Sequence, residues 1–135
     1  LVKPIISGDM VSDEEIEKIG MNISMEYERN QRRKPEDVSK ENLGFDIRSR
    51  GKDEIRYIEV KARKDEGQVA LTFNEWFKAK RFKEQYWLYI VANAAKNPTL
   101  YIINNPVDNL KVREKIEMVR FLVPLDEWKN KGVKV

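Results

Sequence analysis

Gly44-Phe45-Asp46-Ile47-Arg48-Ser49-Arg50, a turn, and then Ile55-Arg56-Tyr57-Ile58-Glu59-Val60-Lys61-Ala62 decide how this chain folds. Residues 44–50 read as a short strand. Phe45 and Ile47 are expected on one face of it, Asp46 and Arg48 on the other. Residues 55–62 read as a second strand, with Ile58, Val60 and Ala62 on one face and Tyr57, Glu59 and Lys61 on the opposite one, because strand side chains alternate. Gly51, Lys52 and Asp53 form a turn that favours a hairpin. In its natural register, Asp46 approaches Glu59.

Glu-x-Lys alone is common on strands as a surface ion pair. The flanks differ here: Ile58-Glu59-Val60-Lys61-Ala62 sets both charges inside an apolar strand, and Asp46 lies between Phe45 and Ile47. Charges embedded in a core strand are costly unless paired or bound to a metal. Two neighbouring carboxylates repel unless a cation sits between them, and oxygen-only ligation suits Mg²⁺ or Mn²⁺. Such an ion activates water and stabilises charge on a phosphodiester. A lysine alongside offsets developing negative charge.

Outward from the hairpin, the first helix opens at Ser12 with Glu15 three residues on, a capping box, and Asp13 and Glu14 add charge at its positive end. Ile16, Ile19 and Ile23 follow at helical spacing and Tyr27 continues the stripe. The polar run 30–34 and Pro35 end it, and residues 35–43 read as a loop. After a loop at 65–67, residues 68–72 read as a third strand. Thr72 and Glu75 make a second capping box, so a helix is expected from Phe73 to about Gln85. Tyr86–Ala92 is nearly continuously apolar, the mark of a strand buried on both faces. Leu100–Ile103 is another strand, residues 107–117 are ambiguous, Arg120–Val123 reads as a last strand, and Asp126–Lys129 as a short helical turn. A helix between the third and fourth strands implies a parallel crossover, so the fold class is α/β (α+β): a mixed central sheet flanked by helices.

The chain has 135 residues, enough for one domain with one core. Its 36% charged residues exceed the usual ~25%, and the net charge of +3 is mildly favourable for nucleic acid. Neither cysteine nor histidine occurs. Disulfides, thiolate or imidazole zinc sites and His general bases are thereby excluded. No apolar run approaches the ~20 residues of a membrane span, and Leu1–Gly8 has no signal-peptide pattern. A cytoplasmic (intracellular) domain is the expectation. The chain starts without Met, so a single domain over 1–135 belonging to a longer protein is expected, with a core at about 12–106 and a C-terminal extension at 107–135.

Gly44-Phe45-Asp46-Ile47, followed thirteen residues after the Asp by Ile58-Glu59-Val60-Lys61, resembles the PD-(D/E)xK nuclease superfamily. A longer set is more specific: Met25-Glu26-Tyr27-Glu28-Arg29, Pro35-Glu36-Asp37-Val38, Leu71-Thr72-Phe73-Asn74-Glu75-Trp76 and Tyr86-Trp87-Leu88-Tyr89. With the hairpin, these look like the restriction-endonuclease-like, helicase-associated family that includes the No Vein protein C-terminal domain. The similarity spans about residues 12–106. It implies an αβββαβ core and a Mg²⁺-dependent (or Mn²⁺-dependent) nuclease acting on DNA, with a helicase or ATPase domain in the parent chain as partner. Asp46 and Glu59 would hold the metal and Lys61 would assist the water. Phe45 stands where the name-giving proline would be. A catalytically inactive nucleic-acid-binding or protein-interaction module on the same fold is the alternative.

Superfamily members often add an acidic residue from the first helix. Glu26 shares the inward face by its spacing from Ile19 and Ile23 and is chosen as that ligand, with Glu28 assigned to solvent. Gln68 opens the third expected strand, where some superfamily nucleases place a glutamine near the site. Glu75 is explained by capping, Trp76 and Phe77 are expected in the core, and Asn74 is placed to contact a phosphate. The basic groups containing Arg32 and Arg33, and Arg63 and Lys64, are expected to flank the site and contact phosphates.

Overall fold

The computed structural model of this protein describes residues 11–114 and 122–134. Helix α1 spans Asp13–Asn30, and the Ser12 side chain caps it by accepting from the Glu15 N–H at 3.2 Å. Strand β1 is Lys34–Asp37, followed by a single 3₁₀ turn at Ser39–Glu41. The hairpin follows as β2 (Ile47–Arg50) and β3 (Ile55–Ala62). Helix α2 (Phe73–Phe82) and a 3₁₀ turn at Lys83–Gln85 lead to β4 (Tyr86–Ala92) and β5 (Thr99–Asn104). Short helices α3 (Pro106–Asn109) and α4 (Leu125–Lys131) complete the described chain.

The five strands form one mixed sheet in the order β1-β2-β3-β4-β5. β1, β2 and β3 pair antiparallel, β3 and β4 parallel, and β4 and β5 antiparallel. The parallel step follows from α2, which carries the chain back across the sheet before β4 starts. Helix, three strands, helix, strand is the expected order. The identity of one strand is corrected. Residues 68–72 join no ladder; the third strand is β1, inside the stretch read as a loop. Lys34-Pro35-Glu36-Asp37 has no apolar alternation, and it sits at a sheet edge where a proline costs no ladder bond.

Each face of the sheet buries its own cluster. On one face, α1 covers Ile47, Ile58, Tyr89 and Val91. On the other, α2 brings Ala79 against Phe45, Tyr86 and Val38, with Tyr57 and Phe82 packed alongside. Ile47, Ile58 and Tyr89 are fully buried, and each such side chain contributes about 1.5–3 kcal/mol. Close approach fixes α1: a Cβ on Gly20 would lie 2.7 Å from the Ala62 Cβ. Phe45 and Ile47 belong to opposite clusters, against the expected shared face, because β2 begins only at Ile47 and the Gly44 turn redirects Phe45.

The expected strand 120–123 falls partly outside the described residues; Leu122 and Val123 are exposed and in no strand. Leu1–Gly8 also lies outside them. Among the described residues, no helix is long and apolar enough to cross a membrane.

Candidate functional site

Alternation along β3 turns Tyr57, Glu59 and Lys61 to the α2 side of the sheet, away from α1. Asp46, just before β2, is tied to the same strand by two bonds. Its amide donates to the Ile58 carbonyl at 2.8 Å, and its Oδ2 accepts from the Val60 N–H at 2.9 Å. The carboxyl groups of Asp46 and Glu59 thereby come within hydrogen-bonding reach of each other. The Gly44 turn sets this up. Its φ of +86° favours glycine, and an added Cβ would lie 2.4 Å from Lys78 Cγ on α2. The Tyr86 hydroxyl, fully buried, donates to the Gly44 carbonyl at 2.8 Å.

Lys61 Nζ lies 3.4 Å from Glu59 Oε2 and 2.8 Å from Glu75 Oε1. Glu75 occupies the third position of α2. Its side chain also accepts from the Thr72 N–H at 2.9 Å, and Thr72 Oγ1 accepts from the Glu75 N–H at 3.2 Å, a complete capping box. The start of α2 therefore delivers a second carboxylate to the lysine, the third of the cluster.

The electrostatics follow from burial. The Glu59 side chain is 4% exposed. Desolvation, then the charges of Asp46 and Glu75, push its carboxyl up to about 10, with Lys61 opposing. Desolvation also raises Asp46, partly offset by the Val60 N–H. Burial raises Glu75 too, but the bonds from Lys61 and Thr72 outweigh it and leave Glu75 below its ordinary value. Lys61 is held above its ordinary value: burial opposes its charge, while Glu75 and Glu59 overcome that. Of the two carboxyls, Glu59 is the more strongly raised and is the one that favours holding a proton, with Asp46 beside it as acceptor. A hard divalent cation is the other species that can sit between two such oxygens, so the donor set fits Mg²⁺ or Mn²⁺. Among the described residues, no group of three or more acidic side chains converges as a ready-made cation cage.

The structure does not bring Glu26 to this cluster. Glu26 is exposed on α1, which packs on the opposite face, whereas Glu28 is fully buried. This reverses the expected assignment. The buried line of α1 runs Ile16, Gly20, Ser24, Glu28, through small residues that let the helix approach the sheet. Glu28 is held by two bonds from Arg33, at 2.6 and 2.9 Å, and by the Tyr89 hydroxyl.

Of the expected phosphate contacts, Arg33 is committed to that ion pair and lies beside the β2–β3 turn, against Gly51 and Glu54. Arg32 is exposed near the same end of the sheet. β3 separates this end from Lys61 by six residues, about 20 Å at strand rise, so that basic group does not flank the site as expected. Arg63 and Lys64 lie just past Lys61, after Ala62 at the end of β3. Arg63 donates to the Gln68 carbonyl at 2.9 Å and to Asp65 at 3.1 Å. Gln68 is exposed and, with Lys61, Arg63 and Val69, lines an open cleft of about 350 Å³. Asn74 is exposed at the start of α2. Phe77, expected in the core, is 55% exposed and stacks on Phe73, with ring centroids 6.1 Å apart; Trp76 is half-buried.

Two residues escaped the sequence reading. Glu75 was fully accounted for by its cap, and Tyr86 by its apolar strand. The signal for Glu75 is that its capping box opens the helix immediately after β3.

No curated protein and no solved structure matches this chain. The model of the family described as Protein NO VEIN, C-terminal, matches residues 16–103, a span that contains Asp46, Glu59, Lys61 and Glu75. The chain therefore belongs to the No Vein C-terminal family.

Proposed function

We propose that this domain hydrolyses phosphodiester bonds of nucleic acid as a PD-(D/E)xK-type endonuclease, with DNA as substrate and Mg²⁺ or Mn²⁺ as cofactor. The observation that carries this reading is the contact between the Asp46 and Glu59 carboxyl groups with the Lys61 amine beside them. Asp46 and Glu59 would hold the ion. A divalent ion there supplies Lewis-acid stabilisation and lowers the pKa of bound water.

The protein's own groups do the rest. The Val60 N–H and the Gly44 turn hold Asp46 in place, and the buried flank of β3 keeps Glu59 from water. Lys61 carries a fixed positive charge facing the cleft, where it offsets negative charge developing on a phosphate. Arg63 and Lys64, just past the end of β3, and Gln68, which shares the cleft with Lys61 and Arg63, would meet the polymer backbone, with Asn74 at the start of α2. A helicase or ATPase domain of the parent protein is the expected partner, on the family resemblance.

The test is cleavage of plasmid and branched DNA in Mg²⁺ or Mn²⁺. Wild type should cut, and Asp46→Ala, Glu59→Ala and Lys61→Ala should not. Equal residual cutting by wild type and all three variants would mean contamination and end the nuclease reading. Binding without cutting would favour a non-catalytic nucleic-acid module.

A further inference from the structure

Glu75 has a local explanation that leaves part of its geometry unused. A capping box needs the side chain to accept from the Thr72 N–H, and it does, through Oε1 at 2.9 Å. The same oxygen also receives Lys61 Nζ at 2.8 Å, a shorter contact than the one Lys61 makes with Glu59. Both partners are sheltered, with side chains 23% and 17% exposed. Screening by water is therefore weaker than at an open surface pair. Lysine has a long stem with several rotatable bonds, so an amine left to Glu59 alone would sample many positions. Holding it from two sides, one on the strand and one on the helix, leaves few.

We propose that Glu75 is a positioning residue: besides capping α2, it holds the Lys61 amine beside Glu59. This rests on the hydrolytic reading above. It ties the start of α2 to the site, so that local opening of that helix end releases the lysine.

Capping and positioning can be separated by one substitution. Glutamine serves a capping box as well as glutamate does. Glu75→Gln therefore keeps the bond from the Thr72 N–H and removes the charge that pairs with Lys61. The expected result is a small fall in melting temperature, from the lost charge pair with the cap kept, with unchanged Mn²⁺ affinity and unchanged KM for DNA. The kcat should fall roughly ten- to a hundredfold, the usual loss when an orienting partner is removed. Side-chain NMR relaxation of the Lys61 Cε methylene, measured on the same proteins, should change from restricted in wild type to mobile in Glu75→Gln.

Full activity and a restricted Lys61 in Glu75→Gln would overturn the proposal and leave Glu75 a cap. Loss of Mn²⁺ affinity in Glu75→Gln would also overturn it, by making Glu75 a ligand. Wild type that does not cut would overturn the hydrolytic reading instead. The relaxation measurement would then still decide whether Glu75 holds the amine.

Discussion

The Val60 N–H donates to Asp46 Oδ2 at 2.9 Å, which fixes the acidic residue of one strand end to the backbone of the strand that carries Glu59 and Lys61. Asp46 therefore meets Glu59 through a main-chain bond that persists when the Glu59 side chain is changed. It also means that the carboxyl pair is built into the hairpin and its repulsion is borne by the fold.

Burial of Glu59, and after it the charges of Asp46 and Glu75, give a pH dependence. The Glu59 carboxyl is pushed up to about 10 from an ordinary value of 4.5. A carboxyl raised on folding favours the folded state most below its unfolded value, and that advantage is lost as pH rises towards the folded one. The chain has no histidine to titrate between pH 6 and 8. In chelator, the melting temperature should rise as pH is lowered from 8 to 6, with a slope of at most about 1.4 kcal/mol per pH unit for one proton. Glu59→Gln should be more stable than wild type at pH 8 and lack this slope. Thermal melts across pH check both; a flat wild-type profile would contradict the raised carboxyl.

Glu28 behaves in the opposite sense. Burial raises it, but the bonds from Arg33 and Tyr89 outweigh that and leave it below 4.5. Its contribution is present above 4.5 and lost as pH falls through the lower folded value. Glu28→Ala leaves Arg33 and the Tyr89 hydroxyl without their partner, so it should cost about 3–5 kcal/mol. Urea denaturation at pH 7 measures this. The same variant should also lose much of wild type's sensitivity to acid.

Arg33 and Arg63 should separate cleanly. Arg33→Ala breaks the Glu28 pair at one end of the sheet and should lower stability while leaving the salt dependence of DNA binding unchanged. Arg63→Ala, at the cleft beside Lys61, should reduce the slope of log affinity against log salt by about one. Fluorescence anisotropy over a salt series distinguishes the two.

Gly44→Ala should disturb the site from outside it. The positive φ and the 2.4 Å approach to Lys78 Cγ leave no room for a methyl without moving α2 or the turn. A loss of about 1–3 kcal/mol is expected, together with reduced cutting, because Asp46 lies two residues on. Melting and plasmid relaxation on one preparation give both numbers.

Much of this was legible in the chain. β3 and β4 have the bounds that alternation and an apolar run gave them, and both helices start at their expected N-caps, Ser12 and Thr72, with the reciprocal bond of a capping box formed at Thr72 and Glu75. The pairing of Glu59 with Lys61 follows from period two alone. What failed has physical causes. β1 is polar and contains Pro35, so only its partner strand makes it a strand. Residues 68–72 have strand composition, yet no neighbouring strand pairs with them. Glu26 was chosen over Glu28 by following isoleucines, while the line pressed against the sheet is marked by Gly20 and Ser24, which carry no apolar signal. Arg33 reads as a free cation in the chain because its partners, Glu28 and Glu54, converge on it only in the folded protein.

The proposed hydrolysis requires Asp46 and Glu59 to share a cation in place of a proton. Calorimetric titration of Mn²⁺ at pH 7, repeated in buffers of different ionisation enthalpy, reads binding and proton release together. The prediction is a single site that releases about one proton per ion, since Glu59 must give up the one it holds, with the site abolished in Asp46→Ala and in Glu59→Gln. Absence of binding to wild type, or equal binding to Asp46→Ala, would contradict it.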